Sequence, residues 1–277
     1  MPQARTSPGV PPRPDSNGAP DYGRLTAVGP YFALDVARSP GEGPPPGFRP
    51  LRDLYAPGPD GLLTGRVREV ARRLGTAETR VAASILHLGL AARLCSVGLG
   101  AAVLLGEVPE LDPDLARVRV PEQGPIDLWT PYRPAQADRG SLVDRFHRSV
   151  VEGQLTALEE AVRAVVPLPD GLLRGNTASA LAGALRMLDV HTAAQPGSTP
   201  APHGPARARA LVAQVLARPP LAGTGTLLAT RVPGIPGDPG ALGGTAFRRN
   251  SCCLYYRIGP QAGVCGDCCF TRPPRRS

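Results

Sequence analysis

Lysine is missing from this sequence. All 31 basic residues of the 277-residue chain are arginine, so neither a Schiff-base lysine nor the phosphate-binding lysine of a P-loop is available. The general arginine, alanine, proline and glycine usage reads as a coding bias toward GC-rich codons. Aromatic residues make up only 4% of the chain, with a single tryptophan. The first 20 residues are proline-rich and lack the apolar core of a secretory signal. The most hydrophobic stretch, Val81 to Gly106, is interrupted by Arg93. Each flanking run falls short of the roughly 18–20 residues needed to span a bilayer, so no transmembrane segment is expected. No G-x-G-x-x-G follows a strand pattern, which leaves a Rossmann-type NAD or FAD site unsupported. No Ser/His/Asp or Cys/His grouping is placed for hydrolysis. A reductase built on this sequence must therefore draw its electrons from an external donor.

What is present is apolar material, 42% of the chain, set against 33 glycines and 34 prolines. The first 50 residues hold 12 of those prolines. Proline removes backbone donors, so residues 1–47 are expected to form an extended or disordered arm, with Tyr31 to Val36 able to dock as a strand and order beginning near Phe48. Leu62 to Leu74 has helical spacing, with Arg66, Glu69, Arg72 and Arg73 on its polar side. A longer apolar helix follows from about Glu78 to Leu105, striped by Val81, Ile85, Leu88, Ala92 and Cys95, with a break expected near Gly98–Gly100. Leu115 to Val120 alternates as a half-buried strand, and Pro125 to Thr130 is its expected partner. Ser141 can cap a helix reaching about Val165. Gly171 to Leu188 reads as a helix rich in small residues, and Ala206 to Ala217 as a shorter one. Pro/Gly-rich connections at 195–205 and 232–245 flank the latter. The expected fold is α+β: a predominantly helical single domain at 48–240 with a few short strands, closed by a Cys-rich segment at 241–277.

That final segment holds six arginines against Asp267 alone, most of the formal net charge of +8. Five of the six cysteines lie there, between 252 and 269. Their spacing is C-C-x11-C-x2-C, with Cys269 directly behind Cys268, and four such thiolates can enclose one metal centre. Zinc is one reading, although an adjacent Cys-Cys pair is a poor match to a zinc knuckle. A redox dithiol is another, but C-x-x-C chemistry of that kind needs a βαβ context. A [2Fe–2S] centre takes two thiolates on each iron, tolerates unusual pair spacings and gains from nearby arginines that offset its negative charge. A Rieske arrangement needs two histidines, and the nearest in sequence is His203, so an all-cysteine site is favoured. Cys95 reads as a small buried hydrophobe. Arg93 is either a solvated edge residue or a buried donor to a ligand. Asn176 is either a cap or a residue near the site. Tyr255 and Tyr256 are placed to shield the centre, and Arg249 and Arg257 either decorate the surface or hydrogen-bond to sulfur.

Arg249-x-Ser251-Cys252-Cys253-Leu254-Tyr255-Tyr256-Arg257, followed by Cys265-Gly266-Asp267-Cys268, resembles the C-terminal motif of ferric-siderophore reductases of the FhuF type. Less specific likeness extends to Val81–Ser84, Gly89–Arg93, Gly175–Gly183 and Leu221–Gly225. The resemblance implies a [2Fe–2S] cluster held by Cys252, Cys253, Cys265 and Cys268. The family has ten residues between the cysteine pairs where this chain has eleven, and Cys269 is additional. It further implies an enzyme that reduces iron(III) held by a ferric siderophore, using an external donor of the ferredoxin or flavodoxin type. A cytoplasmic location is expected, where free thiols persist. The alternative is a zinc- or cluster-stabilised interaction or redox-sensing module. Its tail is poor in aromatics for base stacking, so nucleic acid is not an expected partner.

Overall fold

The computed structural model describes residues 20–131, 140–194, 204–230, 244–259 and 261–274; the connections expected at 195–205 and 232–245 fall largely outside them, as do His203, Arg275 and Arg276. In chain order the elements are α1 (Gly23–Thr26), β1 (Asp35–Val36), β2 (Arg49–Pro50), α2 (Arg52–Tyr55), α3 (Leu62–Leu74), α4 (Thr79–Leu104), β3 (Arg117–Arg119), β4 (Asp127–Thr130), α5 (Leu142–Phe146), a π-helical stretch (His147–Leu155), α6 (Thr156–Val165), α7 (Asp170–Ala193), α8 (Pro205–Leu216), β5 (Gly225–Thr230) and β6 (Gly244–Arg249). The result is a helix-rich α+β fold with two small sheets. One has the order β1-β4-β3-β2, and the other is the antiparallel pair β5-β6.

Local chemistry accounts for the element ends. α3 stops at Gly75, whose left-handed conformation (φ 62°) lets its N–H return to the carbonyls of Ala71 and Arg72. Ser141 opens α5 with a capping box, its hydroxyl accepting from the Asp144 N–H while the Asp144 carboxylate accepts from the Ser141 N–H. The helix expected from Ser141 to Val165 does run that distance, but its middle is π-helical. In the first sheet, β3 pairs with β4 as the alternation suggested, with Val118 buried opposite Leu128 and Arg119 ion-paired across to Asp127 at 2.8 Å.

The core is organised around α4, which packs along α7 more extensively than on any other element. By length and composition α4 could cross a membrane, yet most of it is buried inside the protein. It continues through Arg93 without a break, and through Gly98 and Gly100 as well. These two glycines mark close packing instead. A Cβ on Gly98 would lie 2.6 Å from Val150 Cγ2 and 3.0 Å from Phe146, and one on Gly100 would lie 2.7 Å from Phe32. Gly98→Ala is accordingly expected to cost about 1–3 kcal/mol through overpacking, read as a lower urea midpoint at unchanged slope.

Order begins earlier than Phe48. Tyr22, Leu25, Val28, Phe32 and Leu34 are all buried in the main core. Proline and glycine content disfavours regular elements but not docking, and the apolar side chains between them supply the burial. Arg93 holds this segment in place. It is 2% exposed, and its guanidinium donates to Tyr31 O (2.8 Å), Ile126 O (2.8 Å) and Ala33 O. It is thus a buried donor, but to backbone carbonyls rather than to a ligand. Burial brings it down to about 10, so it stays charged at neutral pH. Cys95 is fully buried, and its thiol is pushed up to about 12, which makes it the inert hydrophobe expected.

Candidate metal centre

The β5–β6 hairpin delivers the chain to the cysteines. Phe247 packs on Ala178 and Ala182 of α7, so small side chains on that helix let the hairpin approach closely. Gly225 permits the pairing at its tight end, because a Cβ there would sit 2.4 Å from both Arg248 O and Phe247. Past β6, Asn250 is tied back by N–H to Thr224 O (2.9 Å) and by its side chain to Gly223 O (2.8 Å). Ser251 donates to Gly171 O at 2.7 Å, and Gly175 leaves room for both Ser251 and Arg249, since a Cβ there would fall 2.3 Å from Ser251 Oγ.

Cys253 is fully buried, with its backbone held against α4. Its carbonyl accepts from Ser84 Oγ (2.8 Å), while Asn176 Nδ2 donates to Ser84 O (2.9 Å) and Ser84 Oγ (3.1 Å). Asn176 is therefore a mid-helix residue near the site rather than a cap. The second cysteine pair is anchored through Asp267. Its carboxylate takes a bidentate ion pair from Arg186 (2.9 and 3.2 Å) and a hydrogen bond from Ser179 Oγ (2.5 Å), and its carbonyl accepts from the Arg249 N–H (2.9 Å). Neither Arg186 nor Ser179 was singled out for this role from sequence. The clue was Asp267 itself, the single acid among the tail arginines.

One pattern recurs at four sulfurs. The backbone N–H two residues ahead is turned to each: Leu254 donates to Cys252 (3.3 Å) and Phe270 to Cys268 (3.4 Å), while the N–H groups of Tyr255 and Asp267 favour the thiolates of Cys253 and Cys265. Leu254 makes this possible for the first pair by adopting a left-handed conformation (φ 67°) that turns the following amides back toward sulfur. Among the described residues Cys269 receives no such donor from two residues ahead; its own backbone and the neighbouring Cys268 side chain are what reach it.

The electrostatics agree. The Cys253 thiol is drawn well below its ordinary value, first by hydrogen bonds from the Cys252 and Cys265 side chains and then by Arg249. Cys252 and Cys265 are correspondingly pushed up, because Cys253 holds the shared negative charge. Arg249 is 1% exposed and donates through Nη2 to Leu172 O, yet its Nε and Nη1 have no protein partner. Unpaired donors on a buried cation are costly unless an anion lies beside them. A cluster of thiolates meets that need, and hydrogen-bonded sulfurs close to a cation suit an iron–sulfur centre.

Residues 249–270 match the FhuF 2Fe-2S C-terminal domain.

The match indicates a [2Fe–2S] cluster, and it spans the whole cysteine constellation. No curated protein matches the chain. Beyond the FhuF-type segment, three of the four blocks of looser sequence likeness touch it, through Ser84 on the first helix, Gly175 and Ser179 on the second and Gly223 to Gly225 ahead of the hairpin, whereas Gly89–Arg93 does not: its Arg93 serves the N-terminal segment. Other residues take other roles. Arg257 ion-pairs with Glu78 at the start of α4 (2.7 Å). Tyr256 meets Phe270 edge-on (centroids 6.2 Å apart), while Tyr255 is 41% exposed and shields little.

His87 lies one turn beyond Ser84 on α4, wholly buried, with no protein partner on either ring nitrogen. Burial and the Arg249 charge lower it to about 3, so it is neutral in the fold. An unfolded histidine protonates near 6.5, and stability must therefore fall as pH drops from there toward 3. His87→Leu should remove that share, losing about 2 kcal/mol less than the parent protein between pH 7 and pH 4.5 in urea unfolding.

Proposed function

We propose that the protein is a ferric-siderophore reductase, passing one electron from an external ferredoxin- or flavodoxin-type donor to chelated Fe(III) and releasing Fe(II). The observation that carries the reading is the match to the FhuF 2Fe-2S domain over a segment whose four sulfurs each have the N–H two residues ahead donating to them or favouring their thiolate. On that pattern Cys252, Cys253, Cys265 and Cys268 are the ligands, and Cys269 is not. When bound, the cluster supplies a site that accepts and gives up one electron at a time. The chain's own residues do the rest. Leu254, Tyr255, Asp267 and Phe270 orient the sulfurs, Arg249 offsets their charge, and Ser84 with Asn176 pins the first pair to the core. Siderophore oxygens are hard ligands that grip Fe(III) far more tightly than Fe(II), so one electron loosens the complex. The balance is simple: the donor is oxidised by one electron, and the iron is reduced by one. A cytoplasmic setting suits the reading, since thiols and Fe(II) both persist in a reducing compartment.

The test is a single-turnover experiment without oxygen. Protein reduced with dithionite and freed of excess reductant is mixed with a ferric siderophore and a colorimetric Fe(II) trap. The reading expects the oxidised spectrum to return as one Fe(II) appears per chain. A reduced spectrum that ferric siderophores leave untouched contradicts it.

A further inference from the structure

A cavity of about 400 Å³ opens between α4, α7 and the segment Val28–Phe32, and the turn Cys265–Asp267 forms part of its wall. That volume lies in the range of small-molecule sites, which are mostly apolar with a few placed polar groups. Here the apolar part comes from Tyr31, Phe32, Leu88 and Met187, and the polar part from Ser179 and the Arg186–Asp267 pair. The two charges satisfy each other in a bidentate ion pair, with Ser179 on the same carboxylate. A ligand entering therefore meets no uncompensated charge, and one of small net charge with apolar flanks is the complementary occupant. Gly183 sits in this wall. A Cβ on it would meet only Arg186 Nη2, at an ordinary 3.6 Å, so packing does not demand glycine there. Its effect is to keep the cavity wide, at the expense of helix propensity.

We propose that this cavity is where the ferric chelate docks, seated against Cys265. The inference rests on the reductase reading and adds the place: the chelate lies in van der Waals reach of a cluster-holding residue, and the docked N-terminal segment forms the opposite wall. An adjoining cavity of about 390 Å³ lies beyond Arg186 and Met187, lined by Asp189, Val190 and Thr245. It shares Arg186, Met187, Gly266 and Asp267 with the first cavity but, among the described residues, no cysteine, and Val190 on its far side serves as the control.

The experiment uses the cluster-loaded full chain and gallium(III) complexes of a linear trihydroxamate and of a tricatecholate. Gallium(III) matches iron(III) in charge and size but is not reduced, so calorimetry reads binding apart from turnover. The parent protein is expected to bind the trihydroxamate complex, whose net charge is small, in a 1:1 ratio and more tightly than the triply negative tricatecholate complex. Gly183→Leu should weaken it at least tenfold, with visible spectrum and dithionite bleaching as in the parent. Tyr31→Ala, on the exposed rim where folding is not at stake, should weaken it several-fold. Val190→Trp, in the adjoining cavity, should stay within twofold. Parent-like affinity in both Gly183→Leu and Tyr31→Ala overturns the cavity and leaves the reductase reading standing, as does loss in Val190→Trp alone. A parent protein that neither binds the gallium complexes nor reduces the ferric ones takes both readings down together.

Discussion

Cys253→Ser is expected to strip the chain of its iron. Of the four proposed ligands, Cys253 is the one fully buried, and its sulfur is the one that hydrogen-bonds to both Cys252 and Cys265. It is also the thiol most readily ionised, helped by the Tyr255 N–H and the Arg249 charge. A serine hydroxyl keeps the shape but stays protonated and gives a hard, weak donor where iron–sulfur centres require thiolate. Iron and acid-labile sulfide should fall at least tenfold per chain, with the visible bands lost and the far-ultraviolet circular dichroism retained. Cys269→Ser is the matched control. Without an N–H from two residues ahead, Cys269 lacks the geometry shared by the other four, and its removal should leave iron, sulfide and spectrum intact. A Cys253→Ser protein that keeps its cluster would sink the ligand assignment, and a Cys269→Ser protein that loses it would move the fourth ligand.

The second large effect is expected at Arg249. This side chain heads the fully buried residues by volume, and two of its donors find no partner in the protein. Held by Leu172 O and by the space that Gly175 leaves, it keeps a positive charge beside Cys253. An added electron makes the centre more negative, so a fixed cation favours the reduced form and raises the potential. Arg249→Gln removes the charge while keeping a polar head of similar reach. The reduction potential should become more negative by about 60–120 mV, equivalent to one to two powers of ten for a one-electron couple. Spectroelectrochemical titration measures this directly. Arg249→Lys should recover part of the shift, because it restores the charge without the planar fork. An unchanged potential in Arg249→Gln would show that the buried charge serves only the fold.

Local patterns carried much of the architecture. Leu62–Leu74 could be read to its ends because its polar face and the following glycine are local signals. The same holds for the Ser141 cap and for the β3–β4 pair, whose alternation is visible in six residues. Where the reading fell short, the deciding contacts are distant in sequence. Arg93 looked like a break in an apolar run, since nothing nearby shows that three carbonyls 33 to 62 residues away would receive it. Tyr31 to Val36 was legible as a docking strand, and Asp35–Val36 does pair with β4, but the prolines hid the order around Leu25, which with Phe32 fills the groove that Gly100 leaves open. The β5–β6 hairpin lacks a clear two-residue period in Gly225–Thr230, and its register is set by the close approach at Gly225. At the metal centre, the cysteine motif pointed to the [2Fe–2S] chemistry that the match over residues 249–270 supports. The Ser84–Asn176 link and the Arg186–Asp267 pair join residues 92 and 81 apart, beyond any local pattern.

The central claim, a two-iron centre in the C-terminal segment, is tested most directly on protein purified without oxygen: a visible spectrum with iron, sulfide and zinc assays on one sample. The account predicts a red-brown protein with two irons and two sulfides per chain, bleached by one electron equivalent of dithionite. A colourless protein carrying one zinc per chain would contradict it.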